Sequence, residues 1–295
     1  MTFPPGVLAG KRVLITGGGT GLGRGVARRL VDHGAEVHLW GRREAVLAEA
    51  VADMSTDRAG AAHSWSVDVR NAEQVEQAMD AIWSEHGPLT SVVNNAAANF
   101  IAPTESISAR AFAAVTGTVM GGSFHTTHAA GRRWIDGGLP GCVLSTLTTW
   151  VWTGSAFVVP SAMAKAAVHA MTMSLAAEWA RYGIRLNAVA PGPIPTDYAW
   201  DMLNPTEKSS VGATQTDQIP MGRTGTIEEL ANLTIFLLSD ACEYLTGQTI
   251  AMDGGQMLAG PGTFAGLTAL SQQDWTDVRE RSQAATAAAK SQRSV

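Results

Sequence analysis

Ser161 and Lys165 stand four residues apart in PSAMAKAAVHAMTMSLAAEW, the segment from Pro160 to Trp179. On a helix that spacing places a hydroxyl and an ammonium on one face, one turn apart. A second hydroxyl, Ser145, lies in GCVLSTLT, an apolar run that reads as a strand. Two hydroxyls and a cation can hold an acyl or carbonyl oxygen and support charge that develops there. The set lacks a proton donor that works near neutral pH. Trp150, in TLTTWVWTG, offers an indole N–H that can donate a hydrogen bond but not a proton. Asp197 and Tyr198, on a separate proline-rich loop, are candidate acid or base groups. Trp150 and Phe157 add flat apolar surface suited to a conjugated, cyclic or aromatic substrate.

A nucleotide end accompanies this set. TGGGTGLGRG follows the apolar run RVLITGG and opens a segment with helical period. Gly17 permits a tight turn, Gly21 lets the backbone approach a pyrophosphate, and Gly23 allows close helix packing. Thr20 and Leu22 complete the loop, whose amides at the helix start face the phosphates. An NAD site usually carries a carboxylate at the end of the second strand; here Gly41 is followed by Arg42 and Arg43. A guanidinium suits a 2′-phosphate, so NADP(H) is the expected cofactor and Arg42 its reader. Arg43 can equally be a solvated cation at a helix start. Asp68, followed by Val69, closes the third run and is placed to take the adenine amino group. Asn95 and Ala96, in NNAA, lie where the fourth run passes the cofactor. Pro191, Gly192, Ile194 and Thr196 belong to PGPIPT, with Thr196 aimed at the nicotinamide carboxamide.

The elements that must position these groups alternate regularly. Strands are expected at 12–18, 36–40, 63–69, 89–97, 141–148, 184–192 and 248–255. Helices are expected at 23–34, 44–54, 72–86, 108–136, from 161 onward, and at 226–240. This alternation implies an α/β fold: one Rossmann-type, doubly wound parallel sheet of about seven strands with helices on both faces. Trp150 and Trp152 read as alternating across a strand edge, one lining the pocket and the other packing inward. Residues 1–260 form the expected domain, with a lid at about 193–222 where prolines, glycines and polar residues interrupt any period. Residues 261–295 read as an extension with a short helix capped by Ser271, bearing Trp275 and Val278 three apart.

Composition narrows the function classes. A chain of 295 residues hides roughly 75% of its unfolded surface and forms a full core. With 45% hydrophobic and 16% charged residues it reads as a soluble globule. A net charge of -5 argues against a nucleic-acid partner. Cys142 and Cys242 have no ligand spacing around them and read as free buried thiols in a reducing cytoplasm. No targeting segment and no membrane span is evident, so a cytoplasmic protein is expected. His125 and His128 have no third ligand placed near them by spacing, and no metal site is expected.

TGGGTGLG, NNAA, Ser145, Lys165 and PGPIPT together resemble the short-chain dehydrogenase/reductase family. Within it, GSAFVVPSAMAKAAVHAMTMSLAAEWARYGIRLNAVAPGPIPT, GRTGTIEELANLTIFLLSD and LSQQDWTDVRE look most like the 2,4-dienoyl-CoA reductases. The resemblance covers nearly the whole chain. It implies a homotetramer, NADP(H), and a small-molecule substrate such as an acyl-CoA or another conjugated carbonyl compound. In most of the wider family a tyrosine precedes the lysine by four, and the lysine lowers its pKa and holds the nicotinamide ribose. Here Ser161 stands in that place. Dienoyl-CoA reductases also have serine there and use a tyrosine that aligns with Trp150 and an asparagine that aligns with Gly121. Three expectations follow. One is reduction of an activated C=C bond, the enolate collecting its proton from water or a less specialised donor. Another is a different reaction on the same scaffold, with Asp197 or Tyr198 as acid or base. The last is a nucleotide-binding protein without turnover.

Overall fold

Seven parallel strands form one sheet in a computed structural model of the chain, which describes residues 3–56, 58, 60–196, 216–260, 271–274 and 276. They are β1 (Arg12–Thr16), β2 (Glu36–Gly41), β3 (Ala62–Ser66), β4 (Ser91–Asn94), β5 (Gly141–Thr146), β6 (Ile184–Pro191) and β7 (Thr249–Met252). The order is β3-β2-β1-β4-β5-β6-β7, so the chain winds outward from β1, crosses back to β4 and winds the other way. The crevice where that order reverses, between β1 and β4, is where such sheets receive ligands.

Helices cover both faces. On one side lie α1 (Gly21–Asp32), α2 (Glu44–Met54) and α8 (Ile227–Leu238), joined through Leu30, Leu47 and Ile235. On the other lie α3 (Ala72–His86), α5 (Gly122–Gly137) and α7 (Val159–Trp179), joined through Met79, Trp134 and Trp179. Strand alternation feeds both layers: Val13 and Ile15 of β1 join the first cluster and Leu14 the second. The helix starts have chemical reasons. Asn71 accepts from the amides of Glu73 and Gln74, and Thr226 with Glu229 forms a reciprocal capping box. Cys142 and Cys242 are free and buried, and burial pushes the Cys142 thiol up to about 11. Among the described residues no helix is long and apolar enough to cross a membrane.

Four local expectations are corrected. The third strand stops at Ser66, leaving Asp68 and Val69 in the loop beyond it. The long helix is two, α4 (Ala109–Thr116) and α5, joined by a π-helical stretch at Gly117–Gly121. Trp150 and Trp152 do not alternate on a strand: they sit on α6 (Trp150–Thr153), a turn closed by Trp152 N to Thr149 O (3.1 Å) and Gly154 N to Trp150 O (2.9 Å). The next helix begins at Val159, with Pro160 in its first turn, so Lys165 lies in the second turn. A short α9 (Gln256–Ala259) follows β7. Of the expected lid, 193–196 and 216–222 are described, the latter opening with a 3₁₀ turn at Thr216–Gln218. Asp197 and Tyr198 lie outside the described residues, as do Trp275 and Val278. Ser271 Oγ accepts from Asp274 N at 3.2 Å, a helix-capping contact.

Candidate active site

The carboxyl ends of the strands bring the nucleotide motifs to one edge. Thr16 closes β1, and its Oγ1 accepts from the amides of Asn95 and Ala96, each at 3.0 Å. Asn95 Nδ2 returns bonds to Thr16 O (3.2 Å) and Gly17 O (3.4 Å). The glycine loop and the end of β4 are thereby locked together. Gly17 turns with φ +68°, open to glycine at little cost. A Cβ on Gly23 would stand 2.3 Å from Gly17 O and 2.5 Å from Asn95 Nδ2, so α1 can start this close only without one.

A cavity of about 170 Å³ opens beside this loop, with Arg42 and Arg43 at its rim and Val46 and Leu47 in its wall. Thr20, Asp68, Val69 and Ala96 complete the lining. Both arginines are exposed, and among the described residues neither guanidinium makes a hydrogen bond or ion pair, although Arg42 attracts the Asp68 carboxylate through space. Asp68 does have a partner: Arg70 Nε donates to its Oδ1 at 2.9 Å, and that bond holds the carboxyl below its usual range. The PGPIPT turn closes from the other side. A Cβ on Gly21 would lie 3.7 Å from Thr196 Oγ1, and one on Gly192 would lie 2.8 Å from the Asp253 Cα. Gly192 N donates to Met252 O and Gly225 N to Pro193 O, each at 3.0 Å, which pins Pro191, Gly192 and the buried Ile194 to β7 and the approach to α8.

Farther along the same edge stand the three groups suited to an oxygen. Ser145, near the end of β5, pairs in register with Asn94 of β4. Asn94 Nδ2 donates to Thr127 Oγ1 at 2.8 Å and to Ser145 Oγ at 3.5 Å. Ser161 is buried in the first turn of α7. Among the described residues, neither serine hydroxyl has a protein acceptor for its own proton. Lys165 is buried, and its Nζ donates to Thr146 O, immediately after Ser145. Burial pulls its pKa down from 10.5 to about 8. Trp150 is half-buried on α6, and Phe157 is exposed with φ 64°. Ala102 N donates to Phe157 O at 2.9 Å, tying the segment after β4 to the start of α7.

Two groups escaped the reading by motif. Asn94 lies one residue before Asn95 but serves Ser145, a role visible only from the β4–β5 register. Thr148 Oγ1 is buried with no hydrogen-bond partner, and no spacing signals it. His125 and His128 diverge: His125 Nδ1 lies 3.0 Å from Val69 O, while His128 stacks on Phe124 at 5.5 Å.

Comparison with known proteins places this edge in context. Residues 17–257 match a family described as Enoyl-(Acyl carrier protein) reductase. The chain is 38% identical to a probable 2,4-dienoyl-CoA reductase of Caenorhabditis elegans, over 92% of this chain and 89% of that one. A short chain dehydrogenase from Bacillus anthracis superposes with a TM-score of 0.76 at 38% identity, over 83% of this chain and 96% of that one. A gluconate 5-dehydrogenase from Burkholderia cenocepacia, solved with NADP and tartrate, superposes with a TM-score of 0.78 at 30% identity, over 85% and 96%. The glycine loop, the serine and lysine at the strand edge and these relatives agree: the chain belongs to the short-chain dehydrogenase/reductase family, as an oxidoreductase related to the 2,4-dienoyl-CoA reductases.

Proposed function

We propose that this protein is an NADPH-dependent reductase of an activated C=C bond in an enoyl or dienoyl thioester or a related conjugated carbonyl compound. The observation that carries the reading is the pair of serine hydroxyls without protein acceptors, beside a buried lysine held at Thr146. That arrangement suits an oxygen that gains negative charge during reaction, and among the described residues no phenol stands beside it to protonate an alkoxide.

A dinucleotide fits the residues present. Gly23 lets α1 start hard against Gly17 O and Asn95, which brings the helix start to the cavity's edge, and two guanidiniums without hydrogen-bond partners among the described residues border that cavity. Arg42 would hold the 2′-phosphate, with Arg43 beside it. Lys165 would reach the nicotinamide ribose, and Thr196 the carboxamide. The relative solved with NADP supports this choice of cofactor. When bound, the cofactor supplies hydride. Ser145 and Ser161 then donate to the substrate's carbonyl oxygen, and Lys165 opposes the charge that develops there. Trp150 cannot deliver the proton to carbon, which water or a less specialised donor supplies. Trp150 and Phe157 offer an apolar wall. A homotetramer belongs to the same reading, supported by exposed Phe112, Met120 and Phe124 along α4, the π-helical stretch and α5.

The test is NADPH consumption by the purified protein with 2,4-dienoyl-CoA, other conjugated enoyl compounds and simple ketones. Turnover of a conjugated substrate, slow ketone reduction and loss of turnover in Lys165→Met support the proposal. Fast ketone reduction would reveal an unrecognised acid. Tight NADPH binding without any turnover would pass the case to a nucleotide-binding protein.

A further inference from the structure

A second cluster lies at the opposite end of the sheet. Glu36 and His38 are two apart on β2 and so share one face of the strand. His63 of β3 pairs in register with His38, and His86 is the last residue of α3. Three imidazoles therefore converge on one carboxylate oxygen. Glu36 Oε1 lies 3.1 Å from His38 Nε2, 3.4 Å from His86 Nδ1 and 3.5 Å from His63 Nε2. Ligand atoms of Glu36, His38 and His86 all fall within 4.8 Å of one another. The rings are close as well, with centroids 4.1 Å apart for His63 and His86 and 5.0 Å for His38 and His63.

We propose that Glu36, His38 and His86, whose ligand atoms already lie close together, bind a divalent transition-metal ion, Zn²⁺ being the best match, and that His63, which lies outside that set but 3.5 Å from Glu36 Oε1, swings in as the fourth ligand. Three imidazoles and a carboxylate are a fitting donor set for zinc, and four ligands make a closed, structural site. Bonds of about 2.0 Å to a tetrahedral ion put its ligands roughly 3.3 Å apart, close to the separations around Glu36 Oε1. The second oxygen, Oε2, lies 3.4 Å from Arg12 Nε, which orients the carboxylate with Oε1 toward the rings.

Two contacts must yield when the ion enters. Trp65 Nε1 donates to His38 Nδ1 at 3.3 Å, which places the His38 proton on Nε2. Ligation through Nε2 moves the single ring proton of the neutral imidazole to Nδ1, with no net release, and breaks the Trp65 bond because Nδ1 is then a donor as well. His63 Nε2 likewise gives up its 3.1 Å contact with Gly60 O. The ion would join β2, β3 and the end of α3, remote from the nucleotide edge.

The experiment titrates metal-free protein with Zn²⁺ by calorimetry, and with Co²⁺ by visible absorption. We expect one Zn²⁺ per chain and the intense Co²⁺ bands of a four-coordinate site. His86→Gln, at a helix end, should weaken binding at least tenfold, as should Glu36→Gln, while His128→Gln leaves it unchanged. Trp65→Phe, which removes the competing donor, should tighten binding. Zn²⁺ should raise the thermal midpoint of the native chain but not of His86→Gln, and NADPH titrations of the two should coincide. Undiminished binding in a His63→Gln, His86→Gln double variant, or no binding at millimolar Zn²⁺, would overturn the proposal. Unchanged affinity in Trp65→Phe would remove His38 and with it the four-ligand site.

Discussion

Lys165 donates its ammonium to the carbonyl oxygen of Thr146, the residue that follows Ser145 on β5. The bond joins α7 to the end of the strand without help from a tyrosine. Folding lowers the lysine's pKa from 10.5 to about 8, so between those values the unfolded chain binds more protons. Stability should therefore rise with pH across that window, and the penalty should be fully present below pH 8. Relative to Lys165→Met, the cofactor-free native chain should gain roughly 3 kcal/mol between pH 7 and 10.5, an order-of-magnitude figure. Urea unfolding of both proteins measures it, and a constant difference would place Nζ in water.

The Arg42 guanidinium makes no hydrogen bond to the described residues and has only a weak through-space attraction to Asp68, so its removal should act mainly on ligand. Calorimetric titration should show NADPH bound at least tenfold more tightly than NADH. Arg42→Ala should erase most of that ratio by weakening NADPH, with NADH little changed. Equal affinities in the native protein would refute the 2′-phosphate assignment.

Trp150→Tyr places a phenol where α6 now carries an indole. General acid catalysis contributes about 10²–10⁴-fold, so kcat for 2,4-dienoyl-CoA should rise tenfold or more. KM should move much less. An unchanged kcat would mean that proton delivery does not limit turnover.

Phe157 holds φ 64° while its side chain is 56% exposed. Phe157→Gly removes a backbone cost of about 1 kcal/mol and little burial. The thermal midpoint should rise by a few degrees, while KM for a conjugated substrate rises as the apolar wall is lost. A lower midpoint would show that the ring supports the fold.

The strands were legible where apolar residues run unbroken, as in VLI of β1 and LNAVA of β6 apart from its asparagine, because strands buried on both faces need no alternation. TTWVWTG misled for the opposite reason. Its β-branched and aromatic residues favour strands, yet local bonds to Thr149 O and Trp150 O coil it into α6. The π-helical stretch was hidden because Gly117, Gly121 and Gly122 carry no side chains to reveal a change of period. Lys165 could be found from its spacing to Ser161, but not its bond to Thr146. The histidine cluster was invisible because its members span residues 36 to 86 and meet only through strand register and a helix end.

The π-helical stretch at Gly117–Gly121 also bears on how this chain can change length. Gly122 N reaches back five residues to Gly117 O, so this turn contains one residue more than an α-turn. A single deletion inside an ordinary helix swings every later side chain by about 100°, turning the buried face toward water. Here, losing Met120, which is exposed, lets the turn close as α and leaves Thr126, Ala130 and Trp134 facing the sheet. A chain lacking Met120 should thus keep its cooperative melting transition, whereas one lacking Ala129 should not. The helix that runs beside the carboxyl ends of the strands holds a spare residue, and the frame of the whole α5 segment can absorb its loss.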